Sequence, residues 1–318
     1  MFVRVIKPGM LTTIQDRGRW GLQARGVPVA GPMDPVSHRL ANALVGNDAD
    51  AAALEITLLG PELEFEVERV IAVAGADFDM TLDNKPVAMN APFIVSAESR
   101  LRFGTRRLGA RAYLAVAGGI AVAPTLGSRS THLISALGGF EGRALRAGDL
   151  LPLGDPAHAP RRTAAALTES LVPLPNHHAR IRVLPGPQVD YFGPDALDLL
   201  QSQRYVVGQN SDRMGFRLNG PRLPHARGAD IISDATPLGV LQVPASGQPI
   251  LLMADRQTSG GYPKIATVIS ADIGVAGQLA PGDRLSFEVC SRREALAALI
   301  AQERWLMGLE AGAASWTS

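Results

Sequence analysis

Turn residues punctuate this chain about every ten positions, with short β-branched runs between them. Of its 318 residues, 33 are Gly and 23 are Pro, which rules out long helices over most of the length. Ala53-Leu-Glu-Ile-Thr-Leu58, Glu62-Leu-Glu-Phe-Glu-Val67, Val70-Ile-Ala-Val-Ala74, Phe93-Ile-Val95 and Ala112-Tyr-Leu-Ala-Val-Ala117 are separated by Gly, Pro, Asp or Asn. Leu63, Phe65 and Val67 alternate with glutamates, the pattern of a half-buried strand. The expected fold is mainly β, of barrel or sandwich type, with a few short helices.

Two helices stand out. Asp34-Pro35 supplies an N-cap and a first-turn proline, and the helix runs through Ser37–Val45 to a stop at Gly46-Asn47. Near the C-terminus, Ser291 and Glu294 form a capping box, and Leu296, Leu299, Ile300 and Leu306 share one face. That helix is read as packing on its own barrel, with partner docking as the alternative.

The length fits two domains. Pro, Ala, His and Arg dominate residues 155–178, so the expected division is an N-terminal domain over 1–154, a linker over 155–178 and a C-terminal domain over 179–318. Arg17-Gly-Arg19 echoes Arg213-Met-Gly-Phe-Arg217, and both domains close on an Ala/Pro-Gly-Asp turn, which leaves a distant duplication open.

Net charge is +1, with no basic block, so no nucleic-acid partner is expected. The single cysteine, Cys290, excludes an internal disulfide and is read as packing. No histidine pair has metal-ligand spacing, and no metal is expected. The N-terminus reads as a strand and a turn rather than a signal peptide, and no apolar run is long enough for a membrane span. A cytoplasmic protein is the expectation.

Residues 255–264 concentrate the chemistry. Asp255, Arg256, Gln257, Thr258 and Lys264 surround Gly260-Gly261, between the apolar runs Ile250–Ala254 and Ile265–Ile269. A hairpin turn with a solvated polar skirt would explain this pattern. Convergence of so many different polar groups favours a binding site for a small polar molecule, anionic or amide-like, with backbone amides near the glycines and charge from Arg256 or Lys264. Two further groups are candidates. Arg129 and Ser130, in Leu126-Gly-Ser-Arg-Ser-Thr-His132, could cradle an anion or form an ordinary turn. Asp16 and Arg19 could bind substrate or form an exposed pair worth little. In Ser211–Arg217, aspartate beside arginine suits structure as well as function.

Several of these segments, in order, carry a resemblance: Leu11-Thr-Thr-Ile-Gln-Asp-Arg-Gly-Arg19, Gly26-Val-Pro-Val-Ala-Gly-Pro-Met-Asp34, Tyr113-Leu-Ala-Val-Ala-Gly-Gly119, Leu126–Thr131, Ser211–Gly215 and Ala254–Lys264. From about Val3 to Val289 the chain resembles the allophanate hydrolase subunit 2, or biotin-dependent carboxyltransferase-like, family. That family includes the C-type subunit of bacterial ATP-dependent 5-oxoprolinase and part of urea carboxylase. It also includes partners of a sporulation-kinase inhibitor. The resemblance implies two cyclophilin-like β-barrel domains and a separately encoded partner of the subunit 1, or B, type. The function it implies first is the C-type subunit of a 5-oxoprolinase hydrolase complex. The alternatives are a biotin-dependent urea or amide carboxyltransferase component and a non-enzymatic antagonist of a kinase inhibitor. On the first reading Asp255 and Lys264 are catalytic. Arg129, Ser130, Arg256, Gln257, Thr258, Gly260, Gly261, Asp16 and Arg19 then bind substrate. ATP would be used through the complex and biotin would arrive on a separate carrier, since the chain has no P-loop and no biotinyl-lysine segment. Ala30 departs from the pattern, standing where a small hydroxyl residue is expected.

Overall fold

The structure is a computed structural model that describes residues 1–156 and 173–315, with side chains to 310. The described chain is mainly β, and it divides into two compact units. The first comprises Met1–Arg19, Ala30–Leu174 and Arg304–Ser318; the second comprises Trp20–Val29 and Pro175–Glu303. Most of the expected linker lies outside the described residues.

The first unit contains β1 (Phe2–Lys7), β2 (Leu11–Gln15), β3 (Ala53–Thr57), β4 (Glu62–Phe65), β5 (Arg69–Leu82), β6 (Lys85–Val87), β7 (Pro92–Val95), β8 (Arg100–Val116) and β9 (Leu150–Pro152). They form one nine-stranded sheet along the path β2-β3-β8-β4-β1-β9, with β5 also paired to β6, β7 and β8. β5 and β8 are much longer than the runs seen in sequence. Register shifts between Gly75 and Asp77, and again up to Met80, carry the pairing through polar residues that read as a turn. Gly75, at φ 105°, takes a conformation that a side chain would strain.

Period-two alternation places residues on two faces. Ile71, Val73, Leu114 and Val116 join the large core with Val3, Leu54 and Phe65. Their neighbours Ala72, Ala74, Tyr113 and Ala115 face α1 (Pro35–Leu44), against Leu40, Ala41 and Leu44. Small alanines on that face let the helix lie close to the sheet. Asp34 caps α1 as its sequence requires, accepting from the amides of Val36 and Ser37 and from the Ser37 hydroxyl. Asp34→Ala is expected to cost about 1–2 kcal/mol of stability, read from urea melts.

The second unit contains β10 (His178–Pro185), α2 (Ala196–Ser202), β11 (Tyr205–Val207), β12 (Gly215–Asn219), β13 (Asp234–Ala235), β14 (Val240–Gln242), β15 (Ile250–Leu252), β16 (Ser259–Gly260), β17 (Lys264–Val268), α3 (Ile273–Gly277) and β18 (Arg284–Val289). Seven strands close a barrel in the order β10-β17-β14-β15-β12-β11-β18, and the parallel pair β10–β18 completes the ring. Ile181, Val183, Tyr205, Phe216, Leu241, Leu251, Ile265 and Phe287 are buried within this unit. β13 and β16 form a separate two-residue ribbon.

The last helix, α4, spans Arg292–Ser315, and its expected capping box is present: the Ser291 amide and hydroxyl both reach Glu294 at 2.7 Å. Its expected apolar face is not uniformly covered. Leu306 is buried, whereas Leu296 and Ile300 are exposed, because 24 residues of helix outrun any single buried stripe.

Candidate functional site

Two polar clusters are built, one in each unit. In the first unit, Asp16 follows β2 and turns its carboxylate into the 128–130 loop. It accepts from the hydroxyls of Ser128 at 2.5 Å and Ser130 at 2.7 Å, from the Gly18 amide at 2.9 Å, and from the Arg129 amide. The hydroxyls of Ser128 and Ser130 and the Arg129 amide thus hold an anion of the protein itself, the Asp16 carboxylate, while Thr131 turns its hydroxyl to the Ile14 carbonyl at 3.0 Å. Arg19 is almost fully buried, donating to the carbonyls of Ser130 at 2.6 Å and Thr125 at 3.2 Å. The reading of Asp16 and Arg19 as an exposed pair is thus corrected, since both side chains are interior and tie one loop to another. Arg129 sends Nε to the Val122 carbonyl and lines a cavity of about 510 Å³ beside Asn47, Asp48, Gly118 and Asp155.

Burial opposes the charge on Asp16, but hydrogen bonds from Ser128, the Arg129 amide, Ser130 and the Gly18 amide outweigh it and lower its pKa. A carboxyl depressed in the folded state stabilises fully above its unfolded pKa of about 4, and loses that contribution as pH falls through the folded value. The stability gap between wild type and Asp16→Asn should therefore be widest at neutral pH and close in acid. Urea midpoints at pH 7 and pH 3 would show it, and a gap independent of pH would contradict it.

Sequence reasoning missed a second polar network in this unit. Glu55 accepts from the Tyr113 hydroxyl at 2.7 Å and the Met33 amide at 2.8 Å, and the Tyr113 oxygen accepts from the Asp34 amide. His38 meets the Gln15 carbonyl through Nε2 at 3.1 Å, and burial pushes its pKa down. A glutamate inside the apolar run Ala53–Thr57 was the available signal.

In the second unit, residues 255–264 do not form a tight hairpin. β14 lies between β15 and β17, so the segment crosses over an intervening strand and pairs with β13 on the way. Its charged residues are not a solvated skirt either. Asp255 and Arg213 are 3% and 4% exposed and meet in a two-pronged ion pair, with Nε–Oδ2 and Nη2–Oδ1 both 3.0 Å. Arg256 is buried and donates to the carbonyls of Thr236 at 2.8 Å and Met253 at 3.4 Å; desolvation lowers its pKa to about 10, so it stays charged at neutral pH. Lys264 is 1% exposed and places Nζ 2.6 Å from Oδ2 of Asp234.

Side-chain amides complete the cluster. Gln257 donates Nε2 to Gln242 Oε1 at 3.3 Å, and Gln242 Nε2 approaches the Tyr262 carbonyl at 3.5 Å. Thr236 donates its hydroxyl to the Gln257 carbonyl, while the Thr258 carbonyl takes the Thr236 amide at 3.2 Å. Gly260 packs closely against these amides: a Cβ would lie 2.6 Å from Gln242 Nε2, 3.2 Å from Thr236 Cγ2 and 3.3 Å from Gln257 Nε2. Gly261 accepts from the Ile231 amide at 2.8 Å. The segment runs from Asp255, past the end of β15, to Lys264 at the start of β17; both strands are antiparallel to β14, so Asp255 and Lys264 lie toward opposite ends of the barrel, and Gln257, Gly260 and Gly261 gather with Gln242 on the Lys264 side. Arg129, Ser130, Asp16 and Arg19 belong to the first unit. Arg213 falls in Ser211–Arg217, where sequence left structure and function open; Asp234, Thr236 and Gln242 were not singled out, and a lone glutamine in the apolar run Val240–Val243 was the clearest missed signal.

Chemically, the second-unit cluster offers a buried cation beside amide donors and acceptors, a set suited to a small polar molecule with a negative end. Among the described residues, no group of three or more His, Cys, Asp or Glu side chains converges as metal ligands would. Nor is any described helix long and apolar enough to cross a membrane.

Known proteins resemble this chain over nearly its whole length. The chain is 41% identical over 303 residues to the C-type subunit of 5-oxoprolinase from Escherichia coli (strain K12), covering 95% of this chain and 96% of that one. The crystal structure of Kluyveromyces lactis urea carboxylase superposes with a TM-score of 0.88 at 35% identity, over 98% of this chain but 29% of that much longer one. The crystal structure of TTHA0988 matches with a TM-score of 0.80 at 39% identity, over 90% of this chain and 55% of that one. Residues 25–289 match the family described as carboxyltransferase domain, subdomain A and B, and with relatives this similar along its length the chain belongs to that family.

Proposed function

We propose that this chain is the C-type subunit of an ATP-dependent 5-oxoprolinase complex, which opens the lactam of 5-oxoproline to glutamate together with a B-type partner. The observation that carries this reading is Lys264, an ammonium with 1% exposure at the edge of an amide-lined cluster, in a chain 41% identical to the C-type subunit of a 5-oxoprolinase. Lys264 holds the substrate carboxylate through a charge-assisted bond. Gln257, Gln242 and Thr258 orient the lactam, and Gly260 and Gly261 keep the backbone close to it. Both oxygens of Asp255 are engaged by Arg213, so Asp255 braces this turn as a positioning residue instead of relaying a proton.

ATP is not assigned to residues of this chain. The loop built like an anion cradle, 128–130, is filled by Asp16, which does not fit a phosphate. The test is ATP-dependent glutamate formation from 5-oxoproline by the complex with its partners, with and without this chain. Glutamate that forms only in its presence supports the reading; equal glutamate without it overturns it.

A carboxyltransferase role in a biotin-dependent urea or amide carboxylase is the second reading, favoured by the 0.88 superposition on a urea carboxylase. It requires biotin on a separate carrier. Decay of carboxybiotin that depends on urea and on this chain would establish it.

A further inference from the structure

Lys264 and Asp234 form an unequal pair. The lysine is 1% exposed and fixed on a barrel strand, whereas the aspartate is 54% exposed. A buried ammonium without a counter-charge is costly, while a carboxylate released into water is not. The need for the pair therefore lies with the lysine, and any carboxylate of the right reach can meet it.

The carrier of Asp234 is lightly held. β13 has two residues and lies outside the barrel, paired to the two residues of β16. The chain leading into it is mostly exposed, and Ile232 is 94% exposed. Besides the two-residue pairing with β16, the backbone from Ala226 to Thr236 is held at its ends and at Ile231: Ala226 and Arg227 donate to the Tyr191 carbonyl, Ile231 to Gly261 and Thr236 to Thr258, and Thr236 also bonds Gln257 and Arg256. A short ribbon with few buried contacts opens at low free-energy cost.

We propose that Asp234 is a resident counter-ion that occupies the anion position at Lys264, and that a ligand carboxylate displaces it as the β13 ribbon swings out. This rests on the assignment of Lys264 as the carboxylate-holding group. It also selects among ligands. An amide or lactam that carries a carboxylate exchanges one anion for another at the lysine. A neutral urea would leave the ammonium buried and unpaired if Asp234 left, so it cannot open the ribbon. Asp234 thus sets specificity for anionic over neutral amides without touching the reacting atoms.

Hydrogen–deuterium exchange on the full chain tests this, read at the amides of Ile231 and Thr236. Asp234→Asn is expected to speed exchange about tenfold without ligand, since it removes the charge that latches the ribbon. Acetate should speed exchange in the wild type, and acetamide at equal concentration should not. Lys264→Met should exchange fast from the start and ignore acetate. Wild-type exchange in Asp234→Asn, or no difference between acetate and acetamide, overturns the proposal. The same measurement with 5-oxoproline separates the two claims: opening by acetate but not by 5-oxoproline leaves the displacement standing and removes 5-oxoproline as the ligand.

Discussion

Asp255→Ala is expected to lower the unfolding free energy by about 3–5 kcal/mol, because it strands the Arg213 guanidinium in the interior. The two side chains are 4% and 3% exposed and share two bonds of 3.0 Å, so water cannot replace the lost partner. Arg213→Ala should cost a similar amount for the converse reason. Replacing both together, with Arg213→Met and Asp255→Leu, should recover most of the loss, since a buried ion pair contributes little over apolar residues of matching volume. Urea melts of wild type, Arg213→Met, Asp255→Leu and the double variant form a double-mutant cycle. A single variant as stable as wild type would show that the pair does not brace the turn. The cycle also separates structure from chemistry: activity lost in Asp255→Ala and regained in the double variant identifies a positioning role.

Lys264→Met should behave in the opposite way. Methionine fills much of the lysine volume without its charge, and the Asp234 carboxylate left behind is already 54% exposed to water. Stability should therefore change little. Turnover should fall sharply: losing a charge-assisted bond to the substrate carboxylate removes about 2–3 kcal/mol of binding, a fall of roughly thirty- to 160-fold in kcat/KM. The assay is 5-oxoproline-dependent glutamate formation by the complex. Wild-type turnover in Lys264→Met would sink the assignment of this lysine.

The relation of sequence to structure differs from element to element. Asp34-Pro35 and Ser291–Glu294 carry their capping chemistry within four residues, and both helices start where those residues place them. The strands over Phe2–Lys7 and Ala53–Thr57 follow from local alternation. The lengths of β5 and β8 do not, because bulges continue a ladder through residues that locally resemble turns. Residues 255–264 were legible as a concentration of polar groups. Their local pattern, however, suggested a hairpin, since nothing nearby in sequence reveals that β14 runs between β15 and β17.

The sequence by itself determined that this is a mainly β chain with capped helices, and that charged and amide side chains are concentrated around the glycines at 260 and 261. Only the tertiary structure decided what each charge does there. Asp255 meets Arg213 across 42 positions, Lys264 meets Asp234 across 30, and Asp16 meets Ser130 across 114. Local propensity and periodicity act over a few residues. Which distant strands and loops become neighbours is set by barrel closure and the burial it forces, and that decides whether a polar residue is solvated, braces the fold or is left to hold a ligand.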